Sequence, residues 1–361
     1  MRIKCVRFFR YRLPLKVPLD VGRVRMTHRE GFLVRCEAES GEVGWGEAAP
    51  LPGYTRETLD DAERALRAAS VYMKSRTLEA DDILATDIWE YIKETTPSVR
   101  FGVESAFMQL FAGSGRGFRE LLSNSFADRV QVNGLFQAPV VPSGEEMTVW
   151  HTRGMRTVKC KVGRRSLESE REWILQLANT LPPGMRIRLD ANRAWSLDEA
   201  VRFFSGVPQP VIEYVEEPLA DVGELPLLAS ETGIPIALDE TVQERGEAIF
   251  HLGFKPAAVV LKPGALPGIG AVMSWQRLAQ GSDLTLVVSS LFESGVGMIA
   301  LAQVAACLCG AQVCCGLDTS RIFAEDTLNP RWSPEGWSWD LRQVDETRYS
   351  VRQEILEELT G

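Results

Sequence analysis

The chain has 361 residues, of which 45% are hydrophobic and 25% are charged, and its formal net charge is −9. This length fits one large domain with a smaller companion, and the acidic balance lacks the basic surface that nucleic-acid binding requires. No apolar run approaches the ~18 residues of a membrane-spanning helix. We therefore expect a soluble, cytoplasmic protein without nucleic-acid or membrane partners.

The amino-terminal part, residues 1–125, predicts an α+β domain. Residues 1–10 alternate basic and apolar side chains as a strand does. Two further runs flank a Ser40-Gly41-Glu42 turn and predict a β-hairpin. Beyond them the apolar period becomes helical. The predicted hairpin strands and helices are residues 31–38, 43–47, 55–69, 81–95 and 98–113, the last with Ser98 as a possible N-cap.

The middle part, residues 126–320, predicts a parallel β/α barrel. Five short apolar runs end in charged side chains that follow one another at intervals of 23–29 residues. A strand with its crossover helix and loops needs about 25–30 residues, so the runs read as consecutive βα units. Further strands are predicted over residues 130–136, 284–289 and 312–317, and a helix over 297–308. Residues 321–361 are too few for another domain.

The charged residues at the ends of these runs predict a metal site. Catalytic groups of such barrels lie at the carboxyl ends of the strands, which converge on one pocket. The carboxylates of Asp190, Glu216 and Asp239 would repel one another there without a cation. Oxygen ligands favour Mg²⁺, with Mn²⁺ as a possible substitute, over Zn²⁺. Any one of these acids could instead cap a helix, but three at barrel spacing favour a metal.

The same residues carry a resemblance to the enolase superfamily, in its muconate-lactonizing subgroup, whose sites combine a Lys or His base with Mg²⁺. Within the subgroup the chain is similar to the o-succinylbenzoate synthase family. The matching motifs are Lys159-x-Lys161, Asp190-x-Asn192, Glu216-x-Pro218, Asp239-Glu240, Lys262, residues 44–47, 50–53 and 289–294, and Gly316-Leu317-Asp318-Thr319. The matches therefore cover most of the chain.

The resemblance implies a role for each matched residue. Lys161 would be the catalytic base and Lys262 the cation that stabilises the enediolate, while Asp190, Glu216 and Asp239 would hold Mg²⁺. Other residues would bind the substrate or support these groups: Lys159, Arg188, Asn192, Ser289 and Ser290. Backbone N–H groups near Gly295 would help the serines to bind the substrate carboxylate. The amino-terminal domain would cap the barrel mouth through residues 50–53 and 20–30, and the carboxy-terminal tail would pack back on that domain.

The implied reaction is the Mg²⁺-dependent syn-dehydration of a succinyl-hydroxycyclohexadiene-carboxylate to o-succinylbenzoate in menaquinone biosynthesis. The same lysine pair could instead serve an N-acylamino acid racemase or a dipeptide epimerase. A dipeptide epimerase would typically carry an Asp-x-Asp-like motif on the last strand, where this chain has only Asp318. A catalytically silent scaffold is a third reading, which the complete set of lysines and carboxylates disfavours. The expected partner is a small carboxylate, and the oligomeric state is left open.

Overall fold

A computed structural model describes residues 1–74, 76–78, 95–113, 117–137, 139–346 and 349–359. The strands are, in chain order, β1 (Ile3–Val21), β2 (Val24–Ala38), β3 (Val43–Ala48), β4 (Arg129–Gln131), β5 (Gly134–Phe136), β6 (Thr157–Lys161), β7 (Arg186–Asp190), β8 (Ile212–Glu216), β9 (Ile236–Leu238), β10 (Ala258–Leu261), β11 (Thr285–Val288), β12 (Leu328–Asn329), β13 (Ser338–Asp340), β14 (Ser350–Val351) and β15 (Leu356–Glu358). The α-helices are α1 (Leu59–Met73), α2 (Pro97–Ala112), α3 (Phe118–Leu122), α4 (Gly144–Thr152), α5 (Leu167–Thr180), α6 (Leu197–Phe204), α7 (Leu225–Thr232), α8 (Glu240–Arg245), α9 (Gly268–Ala279), α10 (Gly295–Leu308) and α11 (Arg342–Glu346).

The amino-terminal domain is an antiparallel sheet in the order β15-β1-β2-β3, with α1 and α2 packed on it. The predicted hairpin is confirmed as β2 and β3, which pair antiparallel. Residues 20–30, expected as a loop over the barrel mouth, instead belong to the long hairpin of β1 and β2, which turns at Gly22 with φ +55°. The segment that reaches the mouth is therefore held by strand pairing. The carboxy-terminal β15 pairs with β1.

Local signals define the ends of the helices in this domain. Thr58 caps α1: its side chain accepts from the backbone N–H of Asp61, whose carboxylate in turn accepts from the N–H of Thr58. Helix α2 begins at Pro97 after Thr96, so the prediction that Ser98 is the cap was wrong. Proline is favoured at the first helical position because its missing N–H needs no partner there. Residues 81–94 of the helix predicted over 81–95 lie outside the described residues.

The second domain is a β/α barrel, as the sequence predicted. Seven parallel strands follow the order β11-β10-β9-β8-β7-β6-β5. The predicted eighth strand, 312–317, is reduced to single bridges: Cys315 pairs with Val132, and Gly316 with Ser289. The first predicted strand, 130–136, is divided, because β4 pairs antiparallel with β13 while only β5 joins the barrel. The barrel is therefore a modified one, because its eighth segment closes the ring of strands through isolated bridges and not as a full strand.

Two buried carboxylates join the domains by capping barrel helices. Glu47 at the end of β3 accepts from the backbone N–H of Ser294 at 2.8 Å and of Gly297 at 2.9 Å, at the start of α10. Glu104 of α2 accepts from the N–H groups of Ile269 and Gly270 in α9. A helix begins with unpaired N–H groups and partial positive charge, which suit a carboxylate. The amino-terminal domain is thus fixed to the barrel by specific hydrogen bonds.

The cysteines and the apolar helices were considered for disulfide bonds and membrane spans. All seven cysteines are free thiols. Within the described ranges, no helix combines the length and the apolar character that crossing a bilayer demands.

Helix α2 packs so closely on β3 that the strand requires glycine. A Cβ at Gly46 would overlap the carbonyl oxygen of Gly102. Gly46→Ala should therefore lower the free energy of unfolding by about 3 kcal/mol, the upper range for overpacking. Denaturant unfolding measures this. Gly144→Ala is the matched control, because a Cβ there meets no atom within 4 Å and α4 can accept alanine. Equal stability of the two variants would contradict the close packing.

Candidate active site

The charged residues of the middle segment lie together at one rim of the barrel. The register pairs Lys161 with Asp190 and Asp190 with Glu216 at the carboxyl ends of β6, β7 and β8. Asp239 and Lys262 directly follow β9 and β10. The side chains of the three acids are at most 1% exposed. Parallel strands that end at one rim have thus gathered the predicted residues from five βα units.

Two lysines of β6 neutralise the first two carboxylates. The Lys159 ammonium lies 2.7 Å from Asp190 Oδ2 and 2.6 Å from Glu216 Oε2. The Lys161 ammonium lies 2.6 Å from the same Asp190 oxygen and donates to Asn192 Oδ1 at 2.8 Å. Burial alone would lower the pKa of Lys159, but the charges of Asp190 and Glu216 outweigh it and raise the pKa. Burial likewise acts against ionisation of Asp190, yet the two lysines hold its pKa below the usual range.

Asp239 is surrounded by a second group of polar side chains. Lys262 donates to Asp239 Oδ2, and it also donates to the hydroxyl of Tyr54 at 2.8 Å. The Tyr54 hydroxyl donates to Asp239 Oδ1 at 2.7 Å and accepts from the amide of Gln243. Tyr54 comes from the amino-terminal domain and is not among the site residues predicted from the sequence. Its signal was an aromatic hydroxyl directly after residues 50–53, the loop predicted to cover the mouth.

Chemistry at this rim fits a hard divalent cation. Glu216 Oε1 is buried and, within the described residues, has no hydrogen-bond partner, and the same holds for Glu240 Oε2. Burial, together with repulsion from Asp190 and Asp239, raises the pKa of Glu216. Burial and Asp239 raise the pKa of Glu240 to about 7. Unpartnered anionic oxygens of this kind are stabilised when a cation binds.

The carboxylates are nevertheless turned onto the lysines. In the part of the chain that the structure describes, no three Asp, Glu, His or Cys side chains are placed as a ready metal cluster. The Lys159 ammonium already stands between Asp190 and Glu216, where it supplies positive charge. The residue types and their burial thus fit a metal, while the side-chain positions are those of an ion-pair network.

Glu217 serves a different purpose from its neighbour Glu216. Its backbone has φ +42°, and its carboxylate accepts at 2.8 Å from the N–H groups of Asp239 and Thr241. Arg193 pairs with the same carboxylate at 2.9 Å. Glu217 therefore fixes the turn that carries Asp239, and Glu216 is the residue that shares the Lys159 ammonium with Asp190.

Arg188 lies one layer below the rim and belongs to a charge network. Its guanidinium forms two hydrogen bonds with Glu213, at 2.9 and 2.8 Å, and donates to the carbonyl of Cys314. It also stacks on the Tyr214 ring, 4.8 Å from the ring centroid. The described side chains that line the large cavity at the rim do not include Arg188. The contacts of Arg188 therefore belong to a charge network below the cavity and not to the cavity wall.

The cavity at the rim has a volume of about 630 Å³, large enough for a small organic acid. Both domains form its wall, and residues 19–22, Leu51, Gly53 and Tyr54 of the amino-terminal domain cover one side. The barrel contributes Ser289 and Ser290 to the wall, and their hydroxyls contact Gly316 O at 3.3 Å and Thr319 Oγ1 at 2.6 Å. The two serines and the lysines at positions 159, 161 and 262 therefore line the same cavity.

The expected contribution of Gly295 to carboxylate binding is not supported. Its N–H donates to Asp326 Oδ1 at 2.7 Å, and the N–H of Ser294 donates to Glu47. Both donors at the start of α10 are therefore already used by protein carboxylates. Asn192 joins Lys161 to Glu240: its amide oxygen accepts from Lys161 at 2.8 Å, and its amide nitrogen donates to Glu240 at 3.1 Å.

Known protein families and relatives match both domains of the chain. The family model described as "Enolase C-terminal domain-like" matches residues 144–340, and the one described as "MenC, N-terminal domain" matches residues 3–110. The o-succinylbenzoate synthase of Yersinia pseudotuberculosis serotype IB (strain PB1/+) is 30% identical over 331 residues, which are 89% of this chain and 92% of that protein. The o-succinylbenzoate synthase of Klebsiella pneumoniae (strain 342) is 30% identical over 340 residues, covering 91% and 94%.

A solved structure shares the fold. The dipeptide epimerase from Enterococcus faecalis V583, complexed with Mg and the dipeptide L-Leu-L-Tyr, superposes with a TM-score of 0.82. The alignment covers 99% of this chain and 100% of that one, at 20% identity. Identity at this level shows the architecture and leaves the choice of substrate to other observations.

The network assigned to Arg188 can be tested through stability. Arg188→Met should lower the free energy of unfolding by about 2–3 kcal/mol, because it removes a buried cation while Glu213 and the Cys314 carbonyl remain. Denaturant unfolding is the measurement. Arg186→Met, on the same strand but exposed, is the matched control and should stay within about 0.5 kcal/mol of the parent. A loss no greater than that of the control would mean that the network contributes nothing to folding.

Proposed function

The chain belongs to the o-succinylbenzoate synthase family of the enolase superfamily, and from this premise we propose how its residues carry out the dehydration. The reaction converts a succinyl-hydroxycyclohexadiene-carboxylate to o-succinylbenzoate and water. One observation carries the proposal: two lysines and three buried carboxylates meet at the rim of a cavity sized for this substrate. The relatives at 30% identity, which align along nine-tenths of the chain, support the same activity.

The chemistry requires removal of a weakly acidic proton. The ring carbon next to the substrate carboxylate loses its proton and becomes part of an enediolate, a dianion that water alone stabilises poorly. We assign the proton transfer to Lys161, which lines the cavity at the end of β6 and whose side chain is 21% exposed. The same ammonium then returns the proton to the departing hydroxyl, so that water leaves from one face and the ring becomes aromatic.

Asp190, Glu216 and Asp239 are the residues that would hold Mg²⁺. When bound, the cation would supply positive charge to the substrate carboxylate, where negative charge accumulates. For their part, the carboxylates bring buried anionic oxygens, one of them unpartnered on Glu216. Ser289 and Ser290 face the same cavity and would orient the carboxylate through their hydroxyls.

Lys262 approaches the cavity from the wall opposite Lys161. Their strands, β6 and β10, are four apart in the sheet order, which is half-way around an eight-membered barrel. Lys262 would therefore face the other side of a bound ring and stabilise the enediolate by charge. A racemase or epimerase would use this lysine as a second base. Its contacts with Asp239 and Tyr54 instead favour a fixed ammonium, in agreement with the dehydratase assignment.

Replacing the base tests the proton transfer. Lys161→Ala should reduce turnover of the cyclohexadiene substrate by about 10³-fold or more, because general acid–base catalysis is lost at both steps. The measurement is the ultraviolet absorbance change with Mg²⁺, next to an EDTA control. Lys255→Ala, an exposed lysine paired with Asp283, is the matched variant and should retain full activity. Normal turnover by Lys161→Ala would refute the assignment.

Replacing a ligand tests the metal site. Asp239→Asn should weaken Mg²⁺ binding by at least about tenfold, because the amide oxygen carries no charge for a hard cation. Calorimetric titration of the metal-free protein measures this without substrate. Asp318→Asn is the control, since this acid lines the same cavity but is paired with Arg321. If both variants bound Mg²⁺ like the parent, Asp239 would not be a ligand.

A further inference from the structure

The Tyr54 hydroxyl lies at the contact between the amino-terminal domain and the barrel rim, and its contacts go beyond the roles assigned so far. It donates to Asp239 Oδ1 at 2.7 Å and accepts from Lys262 Nζ at 2.8 Å and from the Gln243 amide. A phenol has one proton to donate and two lone pairs to accept with. All three capacities are therefore used, and the hydroxyl has a single orientation that satisfies them.

The backbone of Tyr54 is held as firmly as its hydroxyl. The N–H groups of Tyr54 and Thr55 both donate to the carbonyl of Leu51, at 3.1 and 2.9 Å, which closes a turn. The ring packs against an apolar cluster in which residues of both domains meet, including Leu19, Leu51 and Leu291. The side chain thus reaches the rim from a rigid support.

The contact with Lys262 determines where its charge points. An ammonium has three N–H donors. One is directed to Asp239 Oδ2 and one to the Tyr54 hydroxyl, and Lys262 also lines the cavity. With two donors fixed, the third N–H has one tetrahedral direction left. The Tyr54 ring lies beside the same ammonium, 4.1 Å from its centroid, and adds a cation–π contact.

We propose that Tyr54 is a positioning residue, which orients the Lys262 ammonium and the Asp239 carboxylate for the reaction. This inference rests on the proposed function, in which Lys262 stabilises the enediolate. The hydroxyl contributes the hydrogen bonds, and the ring contributes packing and the cation–π contact. The amino-terminal domain thereby takes part in the catalytic arrangement through one side chain, in addition to closing the cavity.

Tyr54→Phe removes the hydroxyl and keeps the ring. We expect kcat to fall about 10- to 100-fold, the cost of a misplaced catalytic group, with KM within about threefold of the parent. Tyr54→Leu also removes the ring and should lower kcat further. Tyr11→Phe is the matched control: this tyrosine of the same domain donates to the buried Glu47 at 2.6 Å, away from the cavity. It should lose stability but keep its kcat.

A labelling experiment measures the contact without substrate. Limited acetylation of the metal-free protein, followed by mass spectrometry of peptides, gives the rates at Lys262 and Lys161. In Tyr54→Phe the Lys262 rate should rise about fivefold, because a hydrogen bond that restrains the amine is lost, while the Lys161 rate stays unchanged. The parent protein and Tyr11→Phe provide the reference rates. Lys161 serves as an internal control, since its partners are Asp190 and Asn192.

The outcomes separate this inference from the proposed function. Unchanged Lys262 labelling in Tyr54→Phe, or a kcat within twofold of the parent, would overturn the positioning role. A raised KM at constant kcat would also overturn it, since that pattern describes a substrate contact. If the parent protein failed to dehydrate the cyclohexadiene while Lys262 labelling still rose in Tyr54→Phe, the hydroxyl would keep its place and the dehydratase assignment would fall.

Discussion

Mutual repulsion among buried carboxylates is the constraint around which this barrel rim is built. Asp190, Glu216 and Asp239 are each almost completely buried, and like charges in such surroundings strongly disfavour ionisation. Three ammonium groups neutralise them. Lys159 pairs with both Asp190 and Glu216, Lys161 pairs with Asp190, and Lys262 pairs with Asp239. One oxygen of Glu216 remains unpartnered within the described residues. The rim therefore combines a largely neutralised set of carboxylates with one buried anionic oxygen that has no partner among the described residues.

The amino-terminal domain completes this rim because its position is fixed by the same kind of interaction. Glu47 and Glu104 are buried carboxylates that cap α10 and α9, so each satisfies N–H groups that would otherwise lack partners. Burial raises the pKa of Glu104 to about 7, although Arg100 pairs with it at 2.8 Å. Such contacts are specific in direction and distance. They hold the domain at the orientation that lets Tyr54 reach Asp239.

The sequence predicted what depends on local period and spacing. Apolar runs at barrel intervals place Lys161, Asp190 and Glu216 at one rim, because parallel strands in register bring their ends together. Contacts between segments that are distant in the chain could not be predicted from local period and spacing. The Tyr54–Asp239 pair depends on how two domains dock, and the division of residues 130–136 into β4 and β5 depends on pairing with β13 near the end of the chain. The use of the Gly295 N–H by Asp326 is a third example.

The two lysines of β6 have different surroundings, and this difference divides their roles. Lys159 contacts two carboxylates and its side chain is 12% exposed, so moving its ammonium would take the ion pair from Glu216 and leave Asp190 with Lys161 alone. Lys161 contacts one carboxylate and one amide oxygen, and its side chain is 21% exposed. Because Asp190 keeps Lys159 as a partner, Lys161 can lose or gain a proton without leaving that acid unpaired. These contacts support the proposal that Lys159 supplies constant charge while Lys161 exchanges a proton with the substrate.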